Sequence, residues 1–131
     1  MNSTVKKLLP YTLLLGLAAA WIVGEVRYSH RIDPGGIRDL SEHFQRFGSP
    51  QRIYRVSRAD ATFYYLSGFP DGQPPRFAYP SSPPAYIYDQ NGRFVDWCSD
   101  PGDCSPDWSN RWPMRSELPL EIDAFRQQFS L

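Results

Sequence analysis

The sequence predicts an α+β protein: an N-terminal transmembrane helix, then a small domain with a four-stranded antiparallel sheet and two packed helices. Three observations carry this expectation. Residues 8–24 form one uncharged apolar run. Amphipathic segments near residues 36–47 and 119–129 stand at the two ends of the rest of the chain. Between them lie four aromatic and β-branched runs, separated by residues that favour turns.

The apolar run, Leu8 to Gly24, is 17 residues long, at the short end of what spans a bilayer core. Lys6 and Lys7 precede it, which favours keeping the N-terminus in the cytoplasm and exporting the rest of the chain. A cleaved signal peptide is the rival reading, because Ala18-Ala19-Ala20 supplies small residues for a cleavage site. Cleavage there would leave Trp21-Ile22-Val23 at the new terminus. The hydrophobicity that continues to Gly24 therefore favours an anchor. The expected address is the cell inner (cytoplasmic) membrane, crossed once, with the C-terminal domain in the periplasm or outside. The chain divides into an anchor (residues 1–27), a linker (28–35) and a domain (36–131).

The first domain helix is expected from Gly36 to Phe47. Ile37, Leu40, Phe44 and Phe47 recur at steps of three and four, and Gly48 with Pro50 stops the helix. Strands are expected at Arg52–Arg58 and Ala61–Ser67, joined by a short Ala59-Asp60 turn. Gly68 to Pro84 comes next, a long loop with six prolines. Ala85–Gln90 and Arg93–Trp97 flank Asn91-Gly92, which predicts a hairpin with a two-residue turn, both positions tolerating positive φ. A last helix is expected over Pro119–Phe129. Leu118, Ile122, Phe125 and Phe129 line one side, and Pro119 fits the first turn.

Cys98 and Cys104 bracket Ser-Asp-Pro-Gly-Asp, strong turn chemistry that would bring the thiols together. In an oxidising compartment this predicts a disulfide. Closing so short a loop contributes about 2 kcal/mol in the chain-entropy model. The spacing fits neither a Cys-x-x-Cys redox site nor a zinc knuckle.

Formal net charge is zero. From Arg27 to Arg93 there are nine Arg against six acids, and from Phe94 to Leu131 three Arg against seven. The domain is polarised, but too weakly basic for nucleic acid. Twenty aromatic residues argue for a packed domain rather than a disordered tail.

The run from Gly36 to Ile53, an amphipathic helix followed by Gly48-Ser-Pro50 and a strand, resembles the entry of small envelope domains of the SmpA/OmlA type. Those are outer-membrane assembly accessory proteins with a helical start and a three-stranded sheet. They are lipid-anchored through an N-terminal cysteine, which this sequence does not have. The resemblance spans about 20 residues and implies a scaffold that binds other envelope proteins.

Chemistry-bearing patterns are few. Asp96, Asp100, Asp103 and Asp107 could offer oxygen ligands to calcium, but their spacing is not that of an EF-hand and no bidentate Glu closes the set. No paired nucleophile and base is visible, and His43 stands beside an apolar stripe, where packing is the ordinary fate. The expectation is therefore a non-enzymatic protein without a cofactor. Tyr79, Tyr86, Tyr88, Trp97, Trp108 and Trp112 are the candidate binding surface, since Tyr and Trp combine contact area with a polar handle. The expected partner is another envelope protein; cell-wall glycan or calcium is the alternative ligand.

Overall fold

The computed structural model describes residues 2–58, 61–74, 83–99 and 117–131. It divides into two units. The first contains helix α1 (Ser3–Ile32) up to Arg31. Its best 18-residue window has a mean hydropathy of 1.6 and buries none of its residues. Thirty residues of helix are about 45 Å long, enough to cross a hydrocarbon core of about 30 Å. Thr12, a polar residue within the run, donates its hydroxyl to the Leu8 carbonyl, 3.1 Å away. The helix extends through residues 28–32 of the expected linker, because the first breaker after Gly24 is Pro34.

The second unit is the α+β domain. It contains α2 (Leu40–Phe47), β1 (Arg52–Arg58), β2 (Ala61–Ser67), a short 3-10 turn at Pro70–Gly72, β3 (Ala85–Asp89), β4 (Phe94–Cys98), β5 (Glu117–Pro119) and α3 (Ile122–Gln128). The sheet order is β4-β3-β2-β1-β5, antiparallel throughout. The four expected strands are present. Glu117–Pro119 adds a fifth where the last helix was expected to begin: Tyr54 pairs with Pro119, and Leu120 N–H donates to the Ile53 carbonyl at 2.9 Å. Pro119 lacks an N–H, so it suits an edge strand as well as a helix start.

Side-chain alternation divides the sheet into two faces. Ile53, Tyr64, Leu66, Tyr86 and Tyr88 form one cluster with Ile37, Leu40 and Phe47 from the α2 region and Phe125 from α3. Val56, Tyr65, Ala85 and Ile87 form the other, with Tyr54 and Phe63 packed against them. Phe94 and Trp97 both belong to the first cluster although they are three residues apart. A bulge makes this possible: Tyr88 pairs with Phe94 but Ile87 pairs with Asp96, so Val95 is the extra residue and is 43% exposed.

Helix α2 starts four residues later than its periodicity suggests. Ile37 N–H bonds the Pro34 carbonyl in a turn, and Asp39 forms a bridge with Arg93. Asp39 then caps the helix, its Oδ1 accepting from Glu42 N–H at 2.9 Å. Glu42 reaches back to Arg38, accepting from its backbone N–H at 2.7 Å and from its guanidinium. These bonds hold the Glu42 carboxyl below the usual carboxylate range.

The hairpin turn corrects the two-residue expectation. Of the Asn91-Gly92 pair, Gly92 alone has positive φ, at 80°. Gly92 N–H bonds the Asp89 carbonyl at 3.0 Å, and Asp89 N–H bonds the Arg93 carbonyl at 2.8 Å, which makes a three-residue loop. Gly92 is buried, and its carbonyl accepts from Leu40 N–H at 2.9 Å. A Cβ there would lie 3.0 Å from Leu40 Cδ1 and 3.4 Å from Phe129 Cε1. Gly92→Ala therefore combines backbone strain with a steric clash, and should destabilise the domain by about 2 kcal/mol. Urea unfolding followed by tryptophan fluorescence measures this; an unchanged midpoint would contradict the role given to Gly92.

Candidate functional site

The sequence-derived candidates are not gathered into one site. Tyr86 and Tyr88 are 2% and 0% exposed, so they are core residues and not part of a binding surface. Their place on β3 opposite Leu66 and Tyr64 points them at the helices. Tyr86 donates its hydroxyl to the Ile32 carbonyl at 2.6 Å, which satisfies its polar end inside the domain. Trp97 is half-buried and stacks on Tyr86, centroids 6.2 Å apart and planes 10° apart. Tyr79, Trp108 and Trp112 lie outside the described residues.

Of the acidic cluster, Asp96 alone is described; Asp100, Asp103 and Asp107 fall outside. Asp96 Oδ1 accepts from Trp97 N–H at 2.8 Å, a local use of the carboxylate. Among the described residues, no group of three or more His, Cys, Asp or Glu side chains is placed to share a metal ion. Cys98 is buried at the end of β4, and Cys104 lies outside the described residues.

A groove of about 570 Å³ opens at the other edge of the sheet, between the start of β1 and the β5–α3 junction. Arg52, Tyr54, Pro119, Leu120, Glu121 and Asp123 are among the residues that line it. Its lining includes one cation and two carboxylates together with apolar side chains. Sequence reasoning missed it because it depends on β5, a three-residue strand without alternation to read.

Two strongly perturbed groups are internal, His43 and Tyr88. His43 is 2% exposed, and its Nδ1 lies 2.7 Å from the Tyr88 hydroxyl. Rings surround the imidazole edge-on: Tyr86 at 4.9 Å, Phe47 at 5.1 Å, Tyr88 at 5.3 Å and Phe44 at 5.9 Å. Burial among these rings pushes the His43 pKa down to about 3. Burial, and secondarily the charges of Asp39 and Glu42, push the Tyr88 phenol up. Neutral imidazole and neutral phenol thus share one hydrogen bond, and both rings are buried. Protein-family models, curated proteins and solved structures were each compared with the chain, and none matches.

The pair can be tested in two ways. His43 titrates near 6.5 in the unfolded chain and near 3 in the fold, so between those values the unfolded state binds the extra proton. Stability from this group is complete above pH 6.5 and falls as pH drops, by about 1.4 kcal/mol per unit, or about 2 kcal/mol at pH 5. Urea midpoints from pH 7.5 to 4.5 should track this slope in the native protein, and His43→Leu should flatten it. A flat native profile would contradict the buried neutral imidazole. In the second test, His43→Leu and Tyr88→Phe each strand one buried polar atom, at a cost of about 1–3 kcal/mol. The double variant should lose clearly less than the sum; full additivity would mean that the two groups do not interact.

Proposed function

We propose that the protein is a non-enzymatic, membrane-anchored envelope protein that works by binding another protein, in a process such as envelope assembly. The observation that carries this reading is the apolar helix α1 ahead of a compact α+β domain. The two lysines on its N-terminal flank support an orientation with the domain outside the cytoplasm. The resemblance of residues 36–53 to SmpA/OmlA-type domains supports the assembly setting. The buried Cys98, six residues before Cys104, supports a disulfide that suits an oxidising compartment. The binding surface in this reading is the Pro-rich segment together with the Cys98–Cys104 loop, with Trp97, Trp108 and Trp112 near that loop in sequence.

The second reading is a module for cell-wall glycan or calcium, with Trp108, Trp112 and the aspartates 96, 100, 103 and 107 as its contacts. Aromatic faces suit sugar stacking and a loop of oxygen donors suits calcium. No nucleic acid or cofactor enters either reading.

Tagged full-length protein recovered from membranes in mild detergent should carry a stoichiometric envelope protein, identified by mass spectrometry. A solitary protein whose melting temperature rises with calcium, or which sediments with sacculi, would replace the first reading with the second. In an oxidised preparation, Cys98→Ser with Cys104→Ser should lower stability by about 2 kcal/mol. An unchanged stability would mean that the two thiols are not joined.

A further inference from the structure

The Asn91-Gly92 pair has a chemical property that its structural role does not use. In an open chain, the backbone nitrogen after an asparagine can attack the side-chain amide carbon. Glycine permits this most readily because it has no side chain to hinder the approach. The Gly92 nitrogen bonds to Asn91 Cγ, ammonia leaves with the amide nitrogen, and a succinimide forms. Water then opens the ring at either carbonyl. The products are aspartate and isoaspartate at position 91, each carrying an acid in place of the amide.

The Asn91 side chain is exposed, so water reaches its amide. The attacking nitrogen is held differently. Gly92 is buried, and its N–H bonds the Asp89 carbonyl at 3.0 Å. Asp89 Oδ1 accepts from Asn91 N–H and from Arg93 N–H, each at 2.9 Å. Asp89 N–H bonds the Arg93 carbonyl at 2.8 Å, and the Gly92 carbonyl is fixed by Leu40 N–H. One residue, Asp89, thus ties the backbone on both sides of the reactive bond. The Gly92 nitrogen must lose its proton and rotate toward Cγ, and both steps break this bracket.

We propose that Asn91 is a deamidation site gated by the Asp89 bracket: reactive whenever the hairpin opens and protected while it is closed. The isoaspartate product lengthens the main chain by one methylene next to Gly92. That change falls where Gly92 carries the first N–H of α2, so a modified hairpin holds the helix less well.

The test uses the full-length protein in mild detergent at neutral pH, incubated with and without denaturing urea. Peptide mapping by mass spectrometry tracks the loss of the Asn91 amide and separates aspartate from isoaspartate. The reaction should proceed in urea and be roughly tenfold or more slower in the native protein, the ratio reporting local opening. Asp89→Ala should bring the native rate toward the rate in urea, while Asp89→Asn, which keeps an Oδ1 acceptor, should stay slow. If Asp89→Ala does not fold, the native protein with and without urea still decides the matter. Equal rates in the two conditions would overturn the gating, and an intact Asn91 in urea would overturn the site.

Discussion

The His43–Tyr88 hydrogen bond is the constraint on which the rest of the domain depends. Helix α2 has eight residues, too few to persist on its own in water. Its position is set by the His43–Tyr88 contact inside an aromatic box, by the Leu40 N–H bond to the Gly92 carbonyl, and by apolar contacts around them. A buried imidazole without a partner would cost more than it contributes, so the phenol of β3 and the imidazole of α2 must meet. That requirement fixes the helix against β3. Leu40 and Phe47, one turn to either side of His43, then fall into the same cluster as Ile53 and Leu66.

The second support is the hairpin. Its turn is a junction as well as a connection, because Gly92 sits under Leu40 and Phe129 and bonds the start of α2. The bulge at Val95 then returns Trp97 to the helix side, where it stacks on Tyr86. On the far side, Gln128 donates to the Tyr64 hydroxyl at 3.2 Å, and Phe125 packs against the Tyr64 ring with centroids 5.1 Å apart. Both helices are thus fastened to neighbouring central strands by tyrosines. A tyrosine-rich sequence can make a core in this way because Tyr64, Tyr86 and Tyr88 each bury a large ring and still find a bond for the hydroxyl.

Much of the fold was legible. The bounds of β1 and β2 agree with the sequence expectation residue for residue, because their runs are bounded by Pro50 and Gly68. The apolar stripe of α2 was legible too, although the helix begins later, since the Pro34 turn and the Asp39–Arg93 bridge claim the preceding residues. The Asn-Gly signal located the hairpin but not its loop type, which Asp89 decides through a side-chain bond that no dipeptide rule contains. Residues Glu117–Pro119 could not be read as a strand, because three residues show no period and Pro119 is equally at home at a helix start. The candidate site was less legible. Tyr86 and Tyr88 resemble surface aromatics in the bare sequence, yet register places them opposite Leu66 and Tyr64. His43 was expected to pack, but its partner lies 45 residues away and only the sheet register selects it.

The most direct measurement is the ring nitrogen NMR of His43 in the isotope-labelled full-length protein, with His30→Gln to leave a single imidazole signal. A buried His43–Tyr88 pair predicts the spectrum of a neutral imidazole with a bonded Nδ1, unchanged as pH falls from 7.5 to 4.5. An imidazole that gains its proton near pH 6.5 in the folded protein would contradict it.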